Sequence, residues 1–235
     1  MKTKLKKLIV LVPLLGWAVS GFSQVANQPG AGNCLQFDGT SNYVSTTNTN
    51  LLNTPDGTIE FWAEWDGMKY GLPFIKTTSF TTNGGNKFIE IPISGQVNWT
   101  IVDNIPSPHT ASSTSSLTPG KWYYIAASWG VDGMKLYING VLEGTNAYAG
   151  AGNFSNELVT IGNWLYHLNQ GFPGKIDEVR IWNTARTQTE IRDNMCKKLI
   201  GNETGLVGYW RFDETTGNTA FDSQTNVVPS NGTGF

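Results

Sequence analysis

Histidine and cysteine are scarce in this chain, with two of each in 235 residues. There is no Cys-x-x-Cys pair, and His109 and His167 stand alone in loop-like contexts, so zinc-ligand spacing is absent. No Ser–His–Asp constellation and no glycine-rich phosphate loop is present. Charged residues are 14% of the chain, against roughly a quarter in an average soluble domain. Asn, Thr, Ser and Gly fill the polar positions instead, as in exported all-β proteins rich in turns. Helical spacing is confined to Thr189–Leu199, where Ile191, Met195 and Leu199 recur every four residues. No repeat of blade or solenoid period appears.

What is present begins with a leader. Lys2, Lys4, Lys6 and Lys7 precede an apolar run, Leu8 to Val19, that is short for a bilayer span. Gly21 and Ser23 are small residues at −3 and −1 of a cut before Gln24, and Ala18 and Ser20 offer a second cut. This pattern predicts a secretory signal peptide over 1–23, with a retained membrane anchor as the alternative. Cys34 lies too far downstream for a lipoprotein signal. Without the four leader lysines, twelve basic residues face eighteen acidic ones, a net charge of about −6. That balance argues against nucleic acid and anionic membrane as partners. An oxidising compartment predicts that Cys34 and Cys196 form a disulfide tying the helix to the first strand; two reduced thiols are the alternative.

Strand-like segments alternate with turn clusters from Leu35 to Phe212. The clearest hairpin is Met134 to Gly144, turning on Asn139-Gly140, two residues that tolerate positive φ. Thr187 followed by Glu190 predicts a capping box at the start of the helix. One domain is expected over 24–213, with 214–235 a polar tail or the start of a further segment.

Three blocks carry a family resemblance. They are Leu35-Gln36-Phe37-Asp38-Gly39 leading to Asn42-Tyr43-Val44, the run from Gly120 to Val141 through Trp122 and Trp129, and Gly174-Lys-Ile-Asp-Glu-Val-Arg-Ile-Trp-Asn183 followed by the capped helix. In this order they resemble laminin-G-like domains of the concanavalin A-like lectin/glucanase superfamily. The resemblance implies an all-β, two-sheet antiparallel jelly-roll sandwich with one short helix. It further implies a rim calcium with Asp38 and Asp177 as ligands, although Thr40-Ser41 stands where many relatives carry another acid. As turn or strand-end residues, both could equally be structural.

Within such a fold a retaining glucanase needs two carboxylates about 5–5.5 Å apart. Its Glu-x-Asp-x-x-Glu motif is missing here, and Glu60 with Glu64 is the nearest approximation. Aromatic residues make up 12% of the chain, and aromatic faces stack on sugar rings. The loop holding Asn163, Trp164, Tyr166 and Asn169 combines aromatic and amide groups, as do Trp65–Tyr70 and Asn98-Trp99. The expected function is a noncatalytic binding or adhesion module for a polysaccharide or glycoprotein glycan, at the cell surface or secreted. A glycoside hydrolase and a structural spacer in a larger surface protein are the alternatives.

Overall fold

The computed structural model describes residues 23–24, 32–77, 86–103, 108–165 and 168–234. Strands β1 (Ser23–Gln24), β2 (Leu35–Asp38), β3 (Val44–Ser45), β4 (Gly57–Trp65), β5 (Gly71–Lys76), β6 (Asn86–Ile91), β7 (Gln96–Val102) and β8 (His109–Ser116) form the first half. They are followed by β9 (Trp122–Trp129), β10 (Met134–Ile138), β11 (Val141–Asn146), β12 (Val159–Ile161) and β13 (Pro173–Trp182). Helix α1 (Gln188–Asn194) precedes β14 (Leu206–Trp210), β15 (Thr219–Ala220) and β16 (Gly232–Gly234).

These strands make two antiparallel sheets. The first runs β1-β2-β13-β4-β9-β10-β11, with β14 also on β13; the second runs β15-β16-β3-β12-β5-β6-β7-β8. Apolar alternation explains the layering, because successive side chains point to opposite faces. Ile59, Phe61, Ala63 and Trp65 of β4 meet Phe74, Ile89, Ile91, Val97, Trp99 and Ile101 of the second sheet in one buried core. This is the expected jelly-roll sandwich.

Strand β13 departs from simple alternation, and the departure explains its acidic pair. Asp177 pairs with Trp62 and Arg180 with Glu60, so β13 carries one residue more than β4 between these pairs. Glu178 takes a positive φ of 52° at this bulge. Strict alternation would drive Glu178 into the apolar interior. The extra residue instead returns Val179 and Ile181 to the core and leaves Glu178 bonded to Arg180 and Tyr209. The bulge also divides the strand edge, because β2 pairs with residues 173–176 and β14 with 179–182.

The capping box forms as the sequence predicts: Thr187 accepts from the Glu190 amide, and the Glu190 carboxylate accepts from the Thr187 amide. Ile191 packs the helix on Trp62, Tyr124, Ala126 and Tyr137, over β4, β9 and β10. The helix stops at Asn194, earlier than the predicted stripe to Leu199.

Two expectations are corrected. Cys34 and Cys196 are not joined in a disulfide. Cys34 is sealed before β2, two strands or roughly 10 Å from β4, whereas the end of α1 delivers Cys196 to solvent. Nor are residues 214–234, of the expected tail over 214–235, an appendage. Thr219–Ala220 and Gly232–Gly234 pair with one another, and β16 pairs with β3, so this segment extends the second sheet.

Candidate functional site

The two outer faces of the sandwich differ chemically. On the first sheet, Glu60 of β4 is fully buried beneath the helix end and the chain around it. Its carboxylate accepts from the Tyr124 hydroxyl at 2.9 Å and the Trp182 indole at 3.0 Å, and lies 3.3 Å from Arg186 Nε. Burial pushes Glu60 up, against the pull of Arg186 and Arg180. Arg180, also fully buried, donates to Glu178 at 2.7 Å and to the carbonyls of Asn194 and Lys197. Burial works against its charge, but Tyr124, Glu178 and Glu60 hold it protonated. Arg186 stacks on Trp182 with its guanidinium 3.7 Å from the ring centroid. This network fastens the end of α1 and the residues after it to the sheet.

The candidate acid pair is therefore not a reactive one. Glu60 is sealed, and Glu64 is engaged by Lys175 at 2.6 Å. Asp177 is buried, and its carboxylate accepts from the Glu178 amide at 2.8 Å. Burial and then the Glu178 charge push Asp177 up to about 8, partly offset by that hydrogen bond.

The calcium expectation fails the same test. Asp38 lies opposite Pro173 in β13, four residues along the strand from Asp177. That spacing is about 13 Å, whereas ligands of one calcium sit roughly 2.3–2.6 Å from the ion. The Asp38 carboxylate instead accepts from the Thr40 and Ser41 amides at 2.7 and 2.8 Å and from the Ser41 hydroxyl at 2.7 Å. Burial raises its pKa, but these hydrogen bonds outweigh burial and hold it well below the usual carboxylate range. Asp38 thus closes its own turn. Among the described residues, no three His, Cys, Asp or Glu side chains group as a metal site. The residues present do not fit the ion.

On the second sheet, the loop expected to present aromatics is partly turned inward. Trp164 is 3% exposed and packs with Leu72, Ile75, Phe88 and Val102. Asn163 is fully buried, with its amide donating to the Thr40 carbonyl at 3.1 Å and its oxygen accepting from the Trp164 amide. Asn169 is exposed on a short 3-10 turn. Tyr166 and His167 fall outside the described residues. Of the other aromatic segments, Trp65 and Trp99 are core residues. Tyr70 and Asn98 do meet, both donating to Glu90, at 2.8 and 3.0 Å. The sequence marks those two segments but not Glu90, because a lone Glu in alternation carries no distinguishing signal.

The same outer face carries a register-aligned row: Thr219, Thr233, Ser45, Thr160, Ile75, Phe88, Thr100 and Thr110, each opposite the next. At its β16–β3–β12 end lies an open cavity of about 430 Å³, lined by Tyr43, Ser45, Thr46, Thr47, Leu158, Leu165 and Thr233. Among the described residues, no charged side chain lines it. The described lining offers apolar surface and hydroxyls.

A two-sheet sandwich of this kind, with a binding-type recess on one face, is a lectin-like architecture. Residues 38–192 match the laminin-G-type family model described as the concanavalin A-like lectin/glucanases superfamily, and the chain belongs to that family. Human pappalysin-1 is 34% identical over 91 residues, covering 37% of this chain and 6% of that protein. The chain thus spans a small fraction of the curated relatives it matches. Among solved structures, a putative carbohydrate binding protein from Bacteroides ovatus superposes with a TM-score of 0.59 at 19% identity, covering 86% of this chain and 57% of that one. The enzymatically active domain of bacteriophage CBA120 tailspike protein 2 gives 0.63 at 14% identity, covering 83% and 32%. Likenesses at these identities establish the shared fold.

Proposed function

We propose that the chain is an exported, noncatalytic carbohydrate-binding module. The observation that carries this reading is the uncharged cavity on the outer face of the second sheet, where Tyr43 and two leucines stand beside the hydroxyls of Ser45, Thr47 and Thr233. Small-molecule sites pair such apolar walls with a few polar groups, and its volume lies within their usual range of roughly 300–1,000 Å³. The name of the Bacteroides ovatus neighbour supports the same class. The noncatalytic part rests on the first-sheet carboxylates, which are sealed or paired. Export rests on the basic leader and apolar run over 1–23.

The test is a glycan array followed by calorimetric titration of the exported chain, with reducing-end release followed in parallel. Saturable binding without hydrolysis is the expected result. Hydrolysis abolished by Glu60→Gln or Glu64→Gln would overturn the noncatalytic reading. Absence of binding across the array would leave the spacer alternative.

A further inference from the structure

The cavity on the second sheet has a wall that comes from outside the family-matched region. Tyr43, Ser45 and Thr47 recur at every second residue along β3 and its extension, so they share one face. Thr233, on β16, sits directly opposite Ser45, although the family match stops at residue 192. The hairpin bearing Thr233 is firmly held. The Ser230 carbonyl accepts from the buried Trp210 indole at 3.0 Å. The Ser230 hydroxyl accepts from the Thr47 and Asn48 amides at 3.1 and 2.8 Å. Asp222 accepts from the Ser230 and Tyr209 amides at 2.8 and 2.9 Å. One anchor therefore positions both Thr233, across from Ser45, and Thr47, two residues further along the chain from Ser45.

Resting on the carbohydrate-binding reading, we propose that this cavity takes an uncharged pyranose and that the β15–β16 hairpin sets that preference by supplying Thr233. A pyranose has an apolar ring face and a rim of hydroxyls. Tyr43, Leu158 and Leu165 match the first, and Ser45, Thr47 and Thr233 match the second. Sialic and uronic acids would bring a carboxylate against a lining that, among the described residues, holds no Lys or Arg. Removing that charge from water without a partner is strongly unfavourable.

The experiment compares neutral oligosaccharides with their sialylated or uronic counterparts on the full exported chain and on two variants. Thr233→Trp fills the cavity from the hairpin side. Leu165→Asp places a charge on the loop side and serves if the first variant does not fold. The expected result is binding of neutral sugars by the parent, and a loss of about tenfold or more in the folded variant, judged by an unchanged melting curve. Binding confined to acidic sugars, or neutral binding unaltered in a folded variant, would overturn the proposal while leaving the carbohydrate-binding reading intact. Failure to bind either class would overturn both.

Discussion

Replacing Asp177 by Asn changes one atom and tests the electrostatics of the β13 bulge. Asn keeps an oxygen to accept the Glu178 amide, which Asp177 now binds at 2.8 Å. The native carboxyl titrates near 8, raised from 3.8 by burial and by Glu178. Between these values the native state holds a proton that the unfolded chain has released, so stability falls as pH rises. Each pH unit within that window costs about 1.4 kcal/mol. Full expression would amount to a few kcal/mol between pH 5 and 7.5, an upper bound that relaxation reduces. Below pH 4 the contribution is complete; above about 8 it is gone. The raised Glu60 pKa gives a slope of the same sign. Lys76 and Lys87 are lowered by burial to about 7 and 8 and give the opposite sign above neutrality. The difference between parent and variant isolates Asp177 from all three. Urea denaturation of both proteins at half-unit steps from pH 4.5 to 8 is the assay, under the standard linear treatment. The expected outcome is near-equal stability at the acid end and a growing advantage for Asp177→Asn toward pH 8. Parallel curves across the whole range would refute a carboxyl held protonated at this position.

Trp164→Ala should lower stability by about 3–5 kcal/mol, as loss of a large buried aromatic does, and a native-like melting curve would contradict its packing against Leu72 and Phe88. In the native chain Cys196 should react with a thiol reagent within the mixing period and Cys34 only after unfolding, as their exposed and buried positions require; equal labelling rates would contradict that placement. Millimolar calcium and chelator should give the same melting temperature, because Asp38 and Asp177 stand apart in register, and a calcium-dependent rise abolished by Asp177→Asn would reinstate the ion.

The sandwich was legible because its core strands alternate cleanly. Ile59, Phe61 and Ala63, or Ile89 and Ile91, declare an inward face without reference to partners. Strand β8 was not legible. In His109–Ser116 the inward positions are Ala111 and Ser113, so no hydrophobic signal marks the period. The short strands β15 and β16 were missed for the same reason, as Thr, Gly and Asn read as loop until a neighbouring edge pairs with them. At the site, residue type alone misled. Trp164 and Asn163 have the chemistry of sugar contacts, but the loop turns both inward. Asp177 and Glu178 read as two faces of a strand until the bulge adds a residue between the register pairs. The cavity itself had no motif, because it gathers Tyr43, Leu165 and Thr233 from segments far apart in sequence.

The sheet order has a kinetic consequence. Strand β13 lies between β2 and β4 in the first sheet, and it is made on the order of a hundred residues after them. Closing such a loop must precede any reward from pairing, which places all-β topologies of this kind among slow folders. Until Pro173–Trp182 emerges, β2 has no β13 to pair with and β4 lacks one of its two neighbours. The first sheet therefore cannot close until β13 has been made, so its completion is deferred to the last part of the chain to be synthesised.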